Sequence, residues 1–277
     1  MNLNLYKMLL FSNLKKYFLE GYIYFNHIIH HTNNIEINRS LNLPNYVLDL
    51  PAKIEYRYKN GRIERWYKNG KLHREGDFPA QIFYYENVQL ENKWYKNGEL
   101  HREGDFPAEI FYHQNGQLKI EIWYEGGKKH RKYLPAEIWY YENGRLEKKM
   151  WFKNDKLHRE GDLPAKIYYY QNGQHLMESW YQNNIQYRER DLPAEIEYYK
   201  NGQPKIESWN KNNMWNRDGD LPSLIEYYQN GQPIKKSWYK NTKLHREGNL
   251  PAVIVYYENG QIKRQDWYIN GKLYKVE

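Results

Sequence analysis

The chain of 277 residues contains no cysteine. This absence excludes disulfide bonds, thiolate metal ligands and cysteine nucleophiles, and it fits a reducing, intracellular compartment. Long apolar runs are missing as well, since the mean hydropathy is −1.07, so no transmembrane segment is expected. A signal peptide is not expected either, because Lys7 interrupts the apolar start and no small-residue cleavage site precedes Lys15 and Lys16.

Aromatic residues are abundant where aliphatic residues are scarce. The chain has 30 Tyr, 10 Trp and 8 Phe, a content opposite to that of disordered proteins. Rings with polar edges are suited to the faces of a sheet, and a thick aliphatic core is not available. The formal net charge of +8 permits a polyanionic partner without requiring one.

A repeat of 28 or 29 residues organises the chain from residue 46 to residue 277. Proline marks each copy at positions 51, 79, 107, 135, 164, 193, 222 and 251. A tryptophan follows each proline by 15 or 16 residues, and these eight form a predicted structural ladder: Trp66, Trp94, Trp123, Trp151, Trp180, Trp209, Trp238 and Trp267. Eight copies indicate a repeat array, in which each unit contacts its neighbours.

The spacing inside each copy predicts β-strands. Ile stands three residues after every proline and Tyr five residues after it, with variable and mostly polar residues between them. This alternation is typical of a strand with one buried and one solvated face. The dipeptide Asn-Gly occurs ten times and predicts type I′ hairpin turns. An extra residue at positions 56–59 predicts a bulge in the first copy, and Asn87-Val88 predicts a different turn in the second.

The predicted fold is all-β: an elongated, twisted, single antiparallel sheet of repeated β-hairpins. Each unit is expected to supply two principal strands, one with Ala-x-Ile-x-Tyr-Tyr and one ending in Trp-Tyr, which makes sixteen in all. The Lys-Leu-His-Arg stretch is expected to add a short third strand. Residues 1–45 form a separate N-terminal segment, in which the loose apolar pattern of residues 9–19 predicts an amphipathic helical cap, with a partner-binding helix as the alternative.

The motif repeated in each copy resembles that of a known protein family. Residues 66–73, Trp-Tyr-Lys-Asn-Gly-Lys-Leu-His, are followed by an Ile-x-Tyr-Tyr strand and Asn-Gly, and this pattern resembles MORN repeats in their variant form. The chain departs from that family by inserting Arg-Glu-Gly-Asp-Leu-Pro-Ala. The resulting repeat is similar to repeat proteins of large amoeba-infecting DNA viruses. The resemblance implies β-hairpin units and scaffolding, and for some members peripheral membrane association; related variants occur in bacterial antitoxin-like proteins.

Histidine and arginine recur at fixed positions and are the first candidates for chemistry. Five copies place histidine in one slot (His73, His101, His130, His158 and His245), but Asn216 and tyrosines replace it elsewhere, which favours a structural role over metal binding. Every inter-proline segment contains an arginine, and acidic residues lie one and three positions after it in most copies. Arginine–carboxylate pairs that join adjacent units are the leading interpretation, with a repeated anion site as the alternative.

One copy breaks this acidic pattern and is the predicted anion-binding site. Its residues are Lys128, Lys129, His130, Arg131 and Lys132. Elsewhere the basic excess is thinly spread, so a nucleic-acid stripe is not expected. No catalytic motif is present, and identical carboxylates in many copies do not form a single reactive pair, so neither an enzyme nor a cofactor is expected.

The sequence therefore favours a non-enzymatic repeat scaffold that presents an extended surface for protein–protein interaction. The alternative is a peripheral protein that binds anionic lipid or another anionic polymer. A third possibility is an antitoxin-like interaction protein. The expected partner is a protein, small-molecule substrates are not expected, and the resemblance to viral repeat proteins implies location in the host cytoplasm.

Overall fold

The computed structural model describes residues 51–57 and 60–277, and every structural statement below concerns that part of the chain. The predicted N-terminal helical cap lies outside the described residues. All the described regular structure is β, and seventeen strands form one antiparallel sheet that does not close. The predicted all-β fold with a single sheet is therefore confirmed. The described residues contain no helix long and apolar enough to cross a membrane.

Each repeat contains a first strand, a second strand and a short hairpin, named here in chain order. The first strands are Lys53–Arg57, Gln81–Tyr85, Glu109–Tyr112, Glu137–Tyr140, Lys166–Tyr169, Glu195–Tyr198, Leu224–Tyr227 and Val253–Tyr256. The second strands are Gly61–Arg65, Val88–Lys93, Leu118–Ile122, Leu146–Met150, His175–Ser179, Pro204–Ser208, Pro233–Ser237 and Ile262–Ile269. The short hairpins are Tyr67–Lys68 with Lys71–Leu72, Tyr95–Lys96 with Glu99–Leu100, Tyr124–Glu125 with Lys128–Lys129, Phe152–Lys153 with Lys156–Leu157, Tyr181–Gln182 with Ile185–Gln186, Asn210–Lys211 with Met214–Trp215, and Tyr239–Lys240 with Lys243–Leu244.

The sheet is a meander in which every strand pairs with its neighbours in the chain. Gly61–Arg65, for example, pairs with the first strand of its own repeat and with that of the next. The join between repeats continues past the strands, because the backbone N–H of Trp94 donates to the Ala108 carbonyl at 2.8 Å. Each repeat is thus hydrogen-bonded to the next over its whole width, which makes the array continuous.

The boundary of the second strand differs from the prediction. In seven repeats this strand ends at the residue before the tryptophan, and the short hairpin begins at the residue after it. The two strands of each short hairpin form a separate two-stranded sheet. In the last repeat the strand runs on through Trp267, and Lys272–Val276 folds back beside it as the seventeenth strand. The predicted total of sixteen was therefore short by one.

The turns of the short hairpins confirm the type I′ prediction. Both central residues have positive φ in all eight repeats, as for Asn69 (51°) and Gly70 (72°). The turns between first and second strands do not follow it. In repeats three to eight only the glycine has positive φ, as at Gly144, whose N–H donates to the Tyr141 carbonyl. The preceding Asn143 keeps ordinary φ and its Oδ1 accepts from the Arg145 N–H at 3.1 Å, so here Asn-Gly forms a type I turn followed by a glycine bulge.

The predicted bulge of the first copy was wrong. The register between Lys53–Arg57 and Gly61–Arg65 runs without a shift, whereas the other seven repeats all carry one beside the turn. In copy two the turn is Glu86-Asn87, both with positive φ, and Val88 opens the second strand. This turn differs from those of the other copies, but two central residues with positive φ are the type I′ geometry, so the predicted change to another turn type was wrong.

The core of the molecule is thin and is built mainly from rings and small residues. All eight repeat tryptophans are 6 or 7% exposed. From the second repeat on, the Ala or Ser that follows each proline is at most 1% exposed. The residues that alternate with Ala, Ile and Tyr along the first strands do not form a solvated face as predicted. Glu109 and Glu137 are 6 and 5% exposed, because the short hairpins cover that side of the sheet. Tyr124 donates to Glu109 at 2.6 Å, and Lys129 donates to Glu137 at 2.6 Å.

Candidate interaction surface

After each short hairpin the chain forms a loop whose arginine stacks on the tryptophan of its own repeat. The guanidinium carbon lies 3.7–4.0 Å from the ring centroid in all seven such loops. In the last repeat, which has no such loop, Lys275 lies 4.3 Å over Trp267. A cation at this distance from an aromatic face is attracted by the ring, so the stack fixes the plane of each guanidinium.

Five of these arginines also join adjacent repeats. Arg102 donates from Nε and Nη2 to the two carboxylate oxygens of Asp77 at 2.7 and 2.8 Å, and Nη1 reaches the Pro107 carbonyl at 3.4 Å. The same pairing with an aspartate of the preceding loop recurs in Arg131–Asp105, Arg188–Asp162, Arg217–Asp191 and Arg246–Asp220. The hydrogen bonds from arginine lower the pKa of each aspartate. The predicted arginine–carboxylate pairs between units are confirmed.

Arg159 is the exception within this series. Its guanidinium lies 3.8 Å over Trp151 and its Nη1 donates to the Pro164 carbonyl at 3.0 Å, as in the other loops. The position of the aspartate is occupied by Tyr133, so Nε and Nη2 have no acceptor among the described residues. Partial burial without a carboxylate lowers the pKa of Arg159.

The predicted anion-binding residues lie in one hairpin and the loop after it, but most of them are paired. Lys129 binds Glu137, Arg131 binds Asp105, and His130 Nε2 lies 3.4 Å from Glu125. Lys132 lies 5.1 Å from the Tyr133 ring, and Lys128 contacts no carboxylate of the described residues. The local positive charge available to a ligand is therefore smaller than the sequence suggests, and binding at this run stays a prediction.

An apolar ridge lies beside the arginine loops and was missed by the sequence analysis. It consists of the residue before each repeat proline from the second repeat on: Phe78, Phe106, Leu134, Leu163, Leu192, Leu221 and Leu250. Their exposed fractions range from 36 to 57%. The signal in the sequence was a large apolar residue in the same loop slot of every copy, next to a proline where a turn is ordinarily polar.

An opening beside the ridge separates two of its members. It is a groove of about 380 Å³, lined by Phe106 and Leu134 together with Trp123, Arg131 and Lys132. The groove thus brings part of the predicted anion run next to two exposed apolar side chains. Its lining combines apolar surface with positive charge, a combination suited to an amphipathic acidic chain.

The repeated histidines lie beneath the loops instead of facing a common ligand. Their side chains are 11–28% exposed. The Nδ1 of His245 accepts from the backbone N–H of Asn270 at 3.2 Å, which ties one loop to the next short hairpin. Across residues 51–57 and 60–277, no three His, Asp or Glu side chains group together as a metal site.

These hairpin units have counterparts among known protein families. Four segments of the chain match the MORN repeat variant. The matched residues are 59–78, 108–125, 136–154 and 252–270. The MORN resemblance is therefore confirmed at four repeats. No curated protein matches the chain.

The MORN matches cover the strands, the tryptophan and the short hairpin more fully than the arginine loops. Three of the four end at or inside the short hairpin, and only the match to residues 59–78 includes an arginine loop and a ridge residue. The ladder of arginine–aspartate pairs and the apolar ridge thus lie largely outside the segments that match the MORN repeat variant.

Proposed function

We propose that this chain is a non-enzymatic repeat scaffold that binds an extended protein partner along the apolar ridge. The observation that carries the proposal is the exposed large apolar side chain repeated once per unit. Two strands separate successive units, which gives a spacing of about 10 Å between ridge residues. Regularly arrayed apolar surface of this kind is typical of interaction sites and is unusual on the surface of an isolated protein.

The repetitive chemistry of the loops supports a binding role over catalysis. Each loop presents the same arginine on the same tryptophan, and most arginines are occupied by an aspartate of the neighbouring repeat. Such pairs hold the loops in place and leave the ridge residues beside them at fixed positions. A rigid row of equivalent contacts favours a partner that is itself extended, because preorganised contacts add up along its length.

A comparison of two double variants tests this function. Leu163→Lys with Leu192→Lys removes two adjacent ridge residues, and Ile262→Lys with Ile269→Lys changes two equally exposed residues off the ridge. Partners captured by the full-length wild type from the native cell are compared with those captured by each variant, with circular dichroism to verify folding. We expect capture to be lost only in the ridge variant. Equal capture by both variants contradicts the proposal.

The second candidate is peripheral binding to anionic lipid or another anionic polymer. It is favoured by Lys128 and Lys132, which contact no carboxylate of the described residues. Vesicles of phosphatidylserine and phosphatidylcholine, and a single-stranded RNA, provide the probes at low and moderate salt. Binding that weakens as salt rises and disappears in Lys128→Glu with Lys132→Glu supports this candidate, because electrostatic attachment is screened by salt. Unchanged binding in that variant contradicts it.

Two further proposals rest on resemblances of the repeat sequence to particular groups of proteins. From the resemblance to repeat proteins of large amoeba-infecting DNA viruses, we propose that the chain acts in the host cytoplasm as a viral interaction protein. From the resemblance to antitoxin-like MORN variants, we propose that the bound partner is a toxin. Growth rescue on co-expression with the captured partner separates the second from ordinary scaffolding, since a scaffold has no effect on the toxicity of its partner.

A further inference from the structure

We propose that Arg159 binds a carboxylate of an acidic segment in the partner polypeptide, in the position that aspartate occupies in five other loops. The Arg159 site consists of the Nε–Nη2 edge of that guanidinium with Lys132, Tyr133 and the flanking ridge residues Leu134 and Leu163. The inference rests on the proposed function and names the chemistry of one contact on the ridge.

The five loops whose arginine pairs with an aspartate of the preceding loop, called the complete loops here, show how this site binds its ligand. In each of them Nε and Nη2 donate to the two oxygens of one carboxylate, as from Arg188 to Asp162 at 2.6 and 3.0 Å. Arg159 has the same stack, 3.8 Å on Trp151 against 3.9 Å for Arg188 on Trp180, and the same bond to a proline carbonyl. The Nε–H and Nη2–H groups of Arg159, called the fork below, are therefore already oriented. A planar carboxylate can accept one hydrogen bond from each of them.

The chain itself leaves this position open. Residues 131–135 read Arg-Lys-Tyr-Leu-Pro, whereas in each of the five loops that supply an aspartate this aspartate stands two positions before the proline and is followed by Leu or Phe. Tyr133 in the aspartate slot is 77% exposed, so its ring points away from the packed loops and does not cover the guanidinium. The loop has lost two carboxylates and gained Lys132, which raises the local positive charge. Partial burial lowers the pKa of Arg159, as expected for a cation removed from water.

The surroundings of the site favour a polypeptide ligand. Leu134 and Leu163, the two ridge residues at this junction, are each 49% exposed. An aspartate followed by a large apolar residue would pair with the fork and cover one of these leucines. The complete loops contain this combination, for Asp162 binds Arg188 and is followed by Leu163. An acidic segment of the partner with an adjacent apolar side chain would thus make the contacts that a neighbouring loop of the same chain makes in the complete loops.

The test follows the arginine Nε–H signals of the full chain by NMR, with the Arg159 signal assigned from its loss in Arg159→Lys. The probe is the acetylated and amidated peptide Glu-Gly-Asp-Leu-Pro-Ala, the sequence of residues 160–165. We expect a saturable shift of the Arg159 signal alone. The same peptide with asparagine for aspartate is the matched control, and inorganic phosphate is a separate titration.

Two variants of Tyr133 complete the design. Tyr133→Asp supplies an internal carboxylate and is expected to weaken peptide binding by about tenfold or more, while Tyr133→Asn should bind as the wild type does. A wild-type shift that is equal with the asparagine peptide, absent with both peptides, or produced only by phosphate overturns the proposal. Undiminished binding in Tyr133→Asp overturns it too. If the ridge variants lose partner capture while these results occur, the scaffold function stands and the Arg159 site alone fails.

Discussion

Loop arginines such as Arg217 contact three parts of the chain at once. Arg217 lies 3.9 Å over Trp209 of its own repeat, donates to the Pro222 carbonyl at the start of the next, and binds Asp191 of the preceding loop. The side chain therefore links three consecutive segments of the array. Lysine cannot replace it, because the three contacts use the flat face of one guanidinium and separate N–H groups on its edges.

The value of one such pair can be measured with two aspartates of neighbouring loops. Asp191 accepts three hydrogen bonds from Arg217, at 2.8–3.1 Å, whereas Asp218 is 84% exposed and contacts only Lys211. Asp191→Asn is expected to lower the free energy of unfolding by about 0.5–1 kcal/mol, a value reduced by the partial exposure of the carboxylate. Asp218→Asn is expected to leave it unchanged in urea denaturation. Equal losses in the two variants would contradict the importance of the bidentate geometry.

Glu55 makes the stability of the first repeat dependent on acid. Hydrogen bonds from Lys53 and Arg65 lower its pKa from 4.5 to about 2. The lowered pKa stabilises the folded chain above pH 4.5, and this contribution disappears as pH falls from 4.5 towards 2, since the unfolded state then binds the proton first. Glu55→Gln is expected to be less stable at pH 7 and to show a shallower decline of melting temperature between pH 4.5 and 2. An unchanged slope would assign the acid sensitivity to other carboxylates.

At the scale of the hairpins, turn chemistry explains why Asn-Gly serves two geometries. In the short hairpins both residues have positive φ, while in the turns before the second strands asparagine caps the backbone and only glycine has positive φ. Copy two has the geometry of the short hairpins in this turn, but it places Glu86 at a φ of 50° where the short hairpins have asparagine or glycine. A residue with a Cβ and no local side-chain bond is disfavoured in this conformation.

This strain predicts a stabilising substitution. Glu86→Asn is expected to raise the free energy of unfolding by about 0.5–1 kcal/mol, because asparagine tolerates positive φ better than glutamate does. The matched control is Glu142→Asn, which changes the same slot of copy four, where φ is not positive. The two variants are compared by thermal melts. A similar gain in both would show that the effect comes from charge or propensity and not from the backbone of copy two.

The sequence predicted the elements of this fold better than their surroundings. Alternation of Ile and Tyr determined the first strands, because a period of two residues is a local property of a half-buried strand. It did not predict that Glu109 and Glu137 lie buried, since this depends on short hairpins that fold back over the sheet. The arginine–aspartate pairs could be predicted from their recurrence. That Arg159 lacks such an aspartate could not be predicted, because the sequence does not show which loops lie side by side. The apolar ridge was missed because exposure is not a property of the sequence alone.

At the scale of the whole molecule, the array is a chain of nearest-neighbour contacts. Successive strands of the sheet pair in chain order, and each arginine reaches only the loop before its own. The stability of such an array is approximately the sum of its units and the interfaces between them. Its length is therefore adjustable in steps of one repeat, and the apolar ridge lengthens or shortens with it.

Deleting one complete repeat tests this additivity. Removal of residues 194–222 joins Pro193 to Ser223 and leaves Arg246 with Asp191 in the place of Asp220. With about one eighth of the stability lost, or roughly 1–2 kcal/mol, the melting temperature is expected to fall by about 2–6 °C with cooperative unfolding retained. Removal of residues 195–203 takes away only a first strand and its turn. That deletion would move the loops of every later repeat to the opposite edge of the sheet, and it is expected to abolish a single cooperative melt. If both deletions melt alike, the loops do not couple the units, because only the shorter deletion places Arg217 and its partner Asp191 at opposite edges of the sheet.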